Sequence, residues 1–114
     1  MDWDLFVKLA AIEYGTMPTD YPYSLNDVLS VFRCFFLNYE KATGERHPPL
    51  KAQNIRSVME RLPYTDGGML DISPESYPEI VEQYFKTTFR GCDYRINHFM
   101  SGDIRKLRLA ELGI

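Results

Sequence analysis

Between Ser24 and Gly44 runs the one segment whose pattern leaves the chain little choice of structure. Leu25, Val28, Leu29, Phe32, Phe35, Phe36 and Tyr39 recur at helical spacing and make a single apolar stripe. Ser24 is a good N-cap, with Asp27 three residues on to complete a capping box, and Gly44 suits the C-terminal stop. Val31, Cys34 and Leu37 add a flanking apolar stripe. A helix apolar on this much of its circumference belongs in the middle of a domain, buried on most sides. The core is expected to centre on Leu25, Val28, Phe32, Phe35 and Phe36.

Weaker signals on either side predict more helices. Asp2 can cap a helix running to Tyr14, with Gly15 as its stop and a loop over 15–23. Pro49 can open a helix whose buried stripe is Ala52, Ile55, Val58, Met59 and Leu62, ended by Pro63. Ser73-Pro74-Glu75 reads as a cap and first turn. Tyr77, Ile80, Val81, Tyr84 and Phe85 then form an amphipathic helix closed by Gly91. Asp93 is the expected cap of a short helix through Met100. Asp103 is the expected cap of a last one through Leu112, with Ile104 and Leu107 facing inward. The segment 64–72 contains the turn signal Asp66-Gly67-Gly68; an irregular loop is favoured there over a minor β-hairpin. The expected fold is mostly all-α: one globular domain over 1–114, a compact bundle of five or six short helices.

Composition fits that picture. The chain has 114 residues, 45% hydrophobic and 14% aromatic, with a net charge of −3, so it can build a core without staples. Two cysteines are too few for a disulfide scaffold. No apolar run has the length of a membrane span, and the acidic start Met1-Asp-Trp-Asp is unlike a secretory signal. A reducing cytoplasm is the expected location. Charge is divided unevenly. Residues 1–30 carry five acids against Lys8, a net of −4, while residues 90–114 carry five bases against three acids, a net of +2. Neither bias has the density of a dedicated nucleic-acid module.

No enzyme motif is present: no phosphate-binding Gly-rich loop, no nucleophile elbow, no His-Glu-x-x-His. Glu40, Glu60, Glu79 and Glu82 lie opposite apolar stripes, as solvated helix faces do. A non-enzymatic role follows. The two cysteines and two histidines together equal one zinc shell in number, but lack the close pairs of a zinc finger. Cys34 lies about ten residues before the end of its helix, roughly 15 Å from the connector holding His47. Cys92, His98 and His47 are the better zinc candidates, because Cys92 and His98 could converge across a helix junction, where His47 in its loop could join them. The plainer account is a packed thiol and an ordinary histidine, and both stay open. The basic tail, with Arg95, Arg105, Lys106 and Arg108 near Tyr94 and Phe99, suits a nucleic-acid backbone and bases. It equally suits a helix whose charges pair with Asp93, Asp103 and Glu111. The acidic head, with Asp2, Asp4, Asp20, Tyr21 and Tyr23, suits contact with a basic protein.

Two stretches carry a resemblance: His47-Pro-Pro-Leu-Lys-Ala-Gln-Asn-Ile-Arg-Ser-Val-Met-Glu-Arg-Leu-Pro-Tyr64 and Cys92-Asp-Tyr-Arg-Ile-Asn-His-Phe-Met-Ser-Gly-Asp-Ile-Arg-Lys-Leu-Arg108. They look similar to small proteins of phages and mobile elements of Gram-positive bacteria, some of which are anti-CRISPR inhibitors. Such inhibitors share no common sequence pattern, so the resemblance assigns no residue. It implies a protein that binds a type II CRISPR effector nuclease and blocks DNA loading or cleavage. The second reading is a nucleic-acid-binding accessory protein that uses the basic C-terminal segment.

Overall fold

The computed structural model describes residues 1–101 and 104–113, with the backbone alone for Asp66. Six helices follow one another: α1 (Trp3–Tyr14), α2 (Leu25–Thr43), α3 (Ala52–Arg61), α4 (Tyr77–Lys86), α5 (Ile96–Phe99) and α6 (Ile104–Leu112). Between α3 and α4 lies a small antiparallel hairpin of β1 (Tyr64–Thr65) and β2 (Leu70–Asp71), in register Tyr64↔Asp71 and Thr65↔Leu70. The mostly helical bundle is as expected. The hairpin replaces the irregular loop favoured for 64–72. Its turn needs left-handed backbone at Gly67 (φ 63°) and Gly68 (φ 91°), which glycine adopts without steric cost.

Local signals start and stop the long helices. Asp2 accepts the backbone N–H groups of Asp4 and Leu5. Ser24 and Asp27 form a reciprocal capping box, and Gly44 ends α2 in the left-handed conformation at φ 76°. Other boundaries moved. α3 begins at Ala52 rather than Pro49, with Lys51 still extended (ψ 154°) ahead of its first turn. α4 stops at Lys86, ahead of Gly91, because Tyr94 pins the following loop. Its hydroxyl donates to the Thr87 carbonyl and accepts the Phe89 N–H. Asp93 does not cap α5; it turns back onto the Arg95 N–H. The expected cap at Asp103 lies outside the described residues.

α2 is the central element, packed on α4 on one side and on α1 on the other. Val28, Phe32, Phe35, Phe36 and Tyr39 are buried, whereas Leu25 is half-buried. Phe32 turns to Phe6 of α1, with ring centroids 4.8 Å apart. Phe35 turns the other way, to Phe85 of α4 and Phe99 of α5, each at 5.1 Å. The flanking stripe is only partly buried: Val31 is inside, but Leu37 is 53% exposed.

The C-terminal end of α3 is where the chain's ends converge on its middle. A helix leaves its last carbonyls unpaired, and Pro63 has no N–H to offer them. Side chains from elsewhere supply the donors. Tyr21 donates to the Met59 carbonyl, and Tyr23 and Tyr77 donate to that of Leu62. Arg105 Nη1 donates to the Arg61 carbonyl at 2.8 Å, placing a cation at the negative end of α3.

Candidate functional site

Arg105 explains why α6 overturns its sequence reading. Leu107, expected to face inward, is 54% exposed, while Arg105 and Arg108 are 4% and 7% exposed. The inward face of α6 carries these two arginines beside Leu109. Arg105 also bonds the Tyr77 hydroxyl; Arg108 bonds Thr87 Oγ1 and Glu111 and lies over the Phe89 ring. Two of the four cations proposed to meet nucleic acid are therefore structural, since a buried guanidinium cannot reach a phosphate. Arg95 remains on the surface with Asp93 beside it at 3.6 Å, and Lys106 is half-buried. Arg105→Gln is expected to lower stability by about 2 kcal/mol, the scale of a charge-assisted hydrogen bond. Urea unfolding checks this; a stability within 0.5 kcal/mol of wild type, as for an ordinary surface change, would count against the structural role.

The proposed metal ligands are likewise occupied by the fold. His47 is 2% exposed, wedged against Phe36 and Tyr39 with ring centroids at 4.9 and 4.8 Å. Its Nε2 accepts the Ile96 N–H at 3.1 Å, capping α5, while Nδ1 lies 2.8 Å from the Pro48 carbonyl. A neutral ring with its proton on Nδ1 satisfies both contacts and leaves no lone pair for a metal. Burial lowers its pKa, against a smaller opposing effect of the Pro48 bond. Cys92 and His98 both reach the hydroxyl of Tyr84, at 3.7 Å to Sγ and 2.7 Å to Nδ1. The thiol also receives the Tyr94 N–H at 3.1 Å. Tyr84 is fully buried, and desolvation pushes its phenol up, so it stays protonated. Among the described residues, no group of three or more His, Cys, Asp or Glu side chains is placed to hold a metal ion. The zinc expectation for Cys92, His98 and His47 therefore finds no support among the described residues, where His47 pairs with the backbone and Cys92 and His98 both meet Tyr84.

The acidic head divides. Tyr23 is 3% exposed and Tyr21 half-buried, and their hydroxyls serve the α3 end and the Ile72 carbonyl. Burial raises both phenol pKa values. Tyr23 is a core tyrosine, and Tyr21 packs against the core with part of its ring in solvent. Asp2, Asp4 and Asp20 are exposed. Between the aspartates runs a feature the sequence reading passed over. Leu5 and Ile12 on the outer side of α1 are 55% and 66% exposed. With Asp4, Lys8 and Ala11, also exposed, they occupy one contiguous face at i, i+1, i+4, i+7 and i+8 spacing. The signal was there to read: α1 is apolar at Leu5, Phe6, Val7, Leu9, Ala10, Ala11 and Ile12, which is more than one stripe. Phe6 and Ala10 take the buried side, so the surplus must face out.

No protein-family model matches the chain, and comparison with curated proteins and with solved structures gives no match either. No helix among the described residues is long and apolar enough to cross a membrane.

Proposed function

We propose that this chain is a non-enzymatic binding domain that docks the outer face of α1 on a basic, nucleic-acid-handling protein and inhibits it. The observation carrying this reading is the exposure of Leu5 and Ile12 on the same helix face as Asp4, in a segment where Asp2 and Asp20 are also exposed. Exposed aliphatics supply the desolvated centre of an interface, and the surrounding carboxylates steer a positively charged partner. The likeness of His47–Tyr64 and Cys92–Arg108 to phage and mobile-element proteins supports a specific target, a type II CRISPR effector nuclease, with DNA loading or cleavage as the blocked step.

The test is binding to purified type II effectors, with and without guide RNA, followed by a DNA-cleavage assay. The double variant Leu5→Ser, Ile12→Ser should keep its circular dichroism spectrum and lose affinity by about 30-fold, the scale of an interface hot spot. Asp2→Asn with Asp4→Asn retains the helix cap and should slow association, with the deficit shrinking at high salt. Failure to bind any effector, or binding without effect on cleavage, rejects the nuclease target. Full affinity in the Leu5, Ile12 variant rejects the face.

A further inference from the structure

A surface cleft of about 230 Å3 lies between the start of α1, the outer side of α2 and the α2–α3 connector. Its apolar wall is Trp3, Phe36 and Leu37. Its charged groups are Arg33, Glu40 and Arg46, two guanidiniums to one carboxylate in a chain of net charge −3. The α2 residues stand at i, i+3, i+4 and i+7, so one helical face presents Arg33, Phe36, Leu37 and Glu40 together. Arg33 lies over the Trp3 ring, 5.3 Å from its centroid. Among the described residues, neither Arg33 nor Arg46 has a carboxylate within ion-pair distance. Both side chains are exposed, so neither has a role in the core to explain its position.

We propose that this cleft captures the C-terminal residue of a peptide, taking an apolar side chain against Trp3, Phe36 and Leu37 and its α-carboxylate on Arg33 and Arg46. A ligand with both a charged and an apolar part matches both halves of the cleft. A bare anion would leave the apolar wall in water, and a neutral hydrocarbon would make no use of the two guanidiniums. Guanidinium presents a planar fork of donors that matches a carboxylate. The volume decides between peptide forms. It falls below the roughly 300–1,000 Å3 of drug-sized pockets, so it admits about one side chain. An internal Asp or Glu brings main chain on both sides of its carboxylate, whereas a terminal residue brings it on one. Capture of a terminal carboxylate is a known mode of peptide recognition. The site is separate from the α1 face, and its test stands whether or not a nuclease is the partner.

Trp3 is the sole tryptophan, so its fluorescence reports this cleft alone. The full chain is titrated with an acetylated Gly-Ser-Gly-Ser-Leu peptide bearing a free carboxylate, with the same peptide amidated, with an amidated peptide holding an internal Leu-Asp pair, and with inorganic phosphate. The free acid should give a saturable change in emission. Amidation should weaken it by about tenfold or more, as loss of a charged hydrogen-bonding group does. Arg46→Gln and Arg33→Gln should each raise the dissociation constant about fivefold or more with the circular dichroism spectrum unchanged. Equal binding of acid and amide removes the carboxylate from the proposal. Equal binding of the internal-acid peptide removes the terminus, and phosphate binding as tightly as the peptide removes the apolar wall. No saturable change with any peptide overturns the site altogether.

Discussion

Phe35→Ala is expected to lower the free energy of unfolding by about 3–5 kcal/mol, the cost of deleting a fully buried phenylalanine ring. For a chain of this size that corresponds to a fall in melting temperature of roughly 15 °C. Phe35 has no measurable exposure and touches four rings on three other segments: His47 of the α2–α3 connector, Tyr84 and Phe85 of α4, and Phe99 of α5. The cavity cannot close by the shift of one neighbour, because those neighbours are fixed by their own contacts on different elements. Phe32→Ala, on the opposite flank of α2, opens a cavity against Phe6 and Phe36 and is expected to cost a similar amount. Both are read by urea or thermal unfolding. A loss under about 1.5 kcal/mol at Phe35 would show that the site collapses and that α2 is less central than its packing indicates.

The second large effect is expected at His47. His47→Ala removes a ring packed against three aromatic side chains and leaves the buried Ile96 N–H without its acceptor. Cavity and orphaned donor together should cost about 3 kcal/mol. A pH dependence accompanies it. Burial is the main reason the His47 pKa is lowered in the folded chain, with Arg95 adding to the effect and Asp93 opposing it. The unfolded chain therefore binds a proton more readily, starting near the ordinary histidine value of about 6.5. The contribution of neutral His47 is complete above that pH and is lost as the pH falls below it. Melting temperature measured from pH 8 down to pH 5 should decline, and His47→Gln should flatten the decline, since its amide oxygen can accept the Ile96 N–H without titrating. An unchanged decline in His47→Gln would assign the acid sensitivity to other groups.

The outer face of α1 and the peptide cleft show what a helical stripe reveals and what it hides. The stripe of α2 marked Phe36 as core, and Phe36 is core. Leu37 has the same chemistry one position on, but it faces solvent and forms part of the cleft wall. Apolarity alone did not separate them. The start of α1 reaches over Phe36 through Trp3 and Phe6, at ring distances of 6.4 and 5.2 Å, and leaves Leu37 uncovered.

What the sequence determined by itself is what neighbours along the chain decide. The Ser24–Asp27 capping box, the Asp2 cap, the Gly44 stop and the Gly67-Gly68 turn are each completed within a few residues. Their energetics are local, so residue identity and spacing carry them. The mostly helical class follows from the same short-range periodicity. Tertiary structure alone decided which polar groups are buried and why. Tyr23 bonds the Ile72 carbonyl 49 residues away, and His47 the Ile96 N–H, also 49 away. Arg105 reaches the Arg61 carbonyl across 44 residues and the Tyr77 hydroxyl across 28. A tyrosine near aspartates reads as surface, and an arginine in a basic tail reads as a phosphate contact, until the chain folds back. The open end of α3 then offers these side chains carbonyls that no nearby donor can satisfy. An unpaired buried carbonyl costs more than burying a long amphipathic side chain that pairs with it, so the arginine goes in and Leu107 stays out.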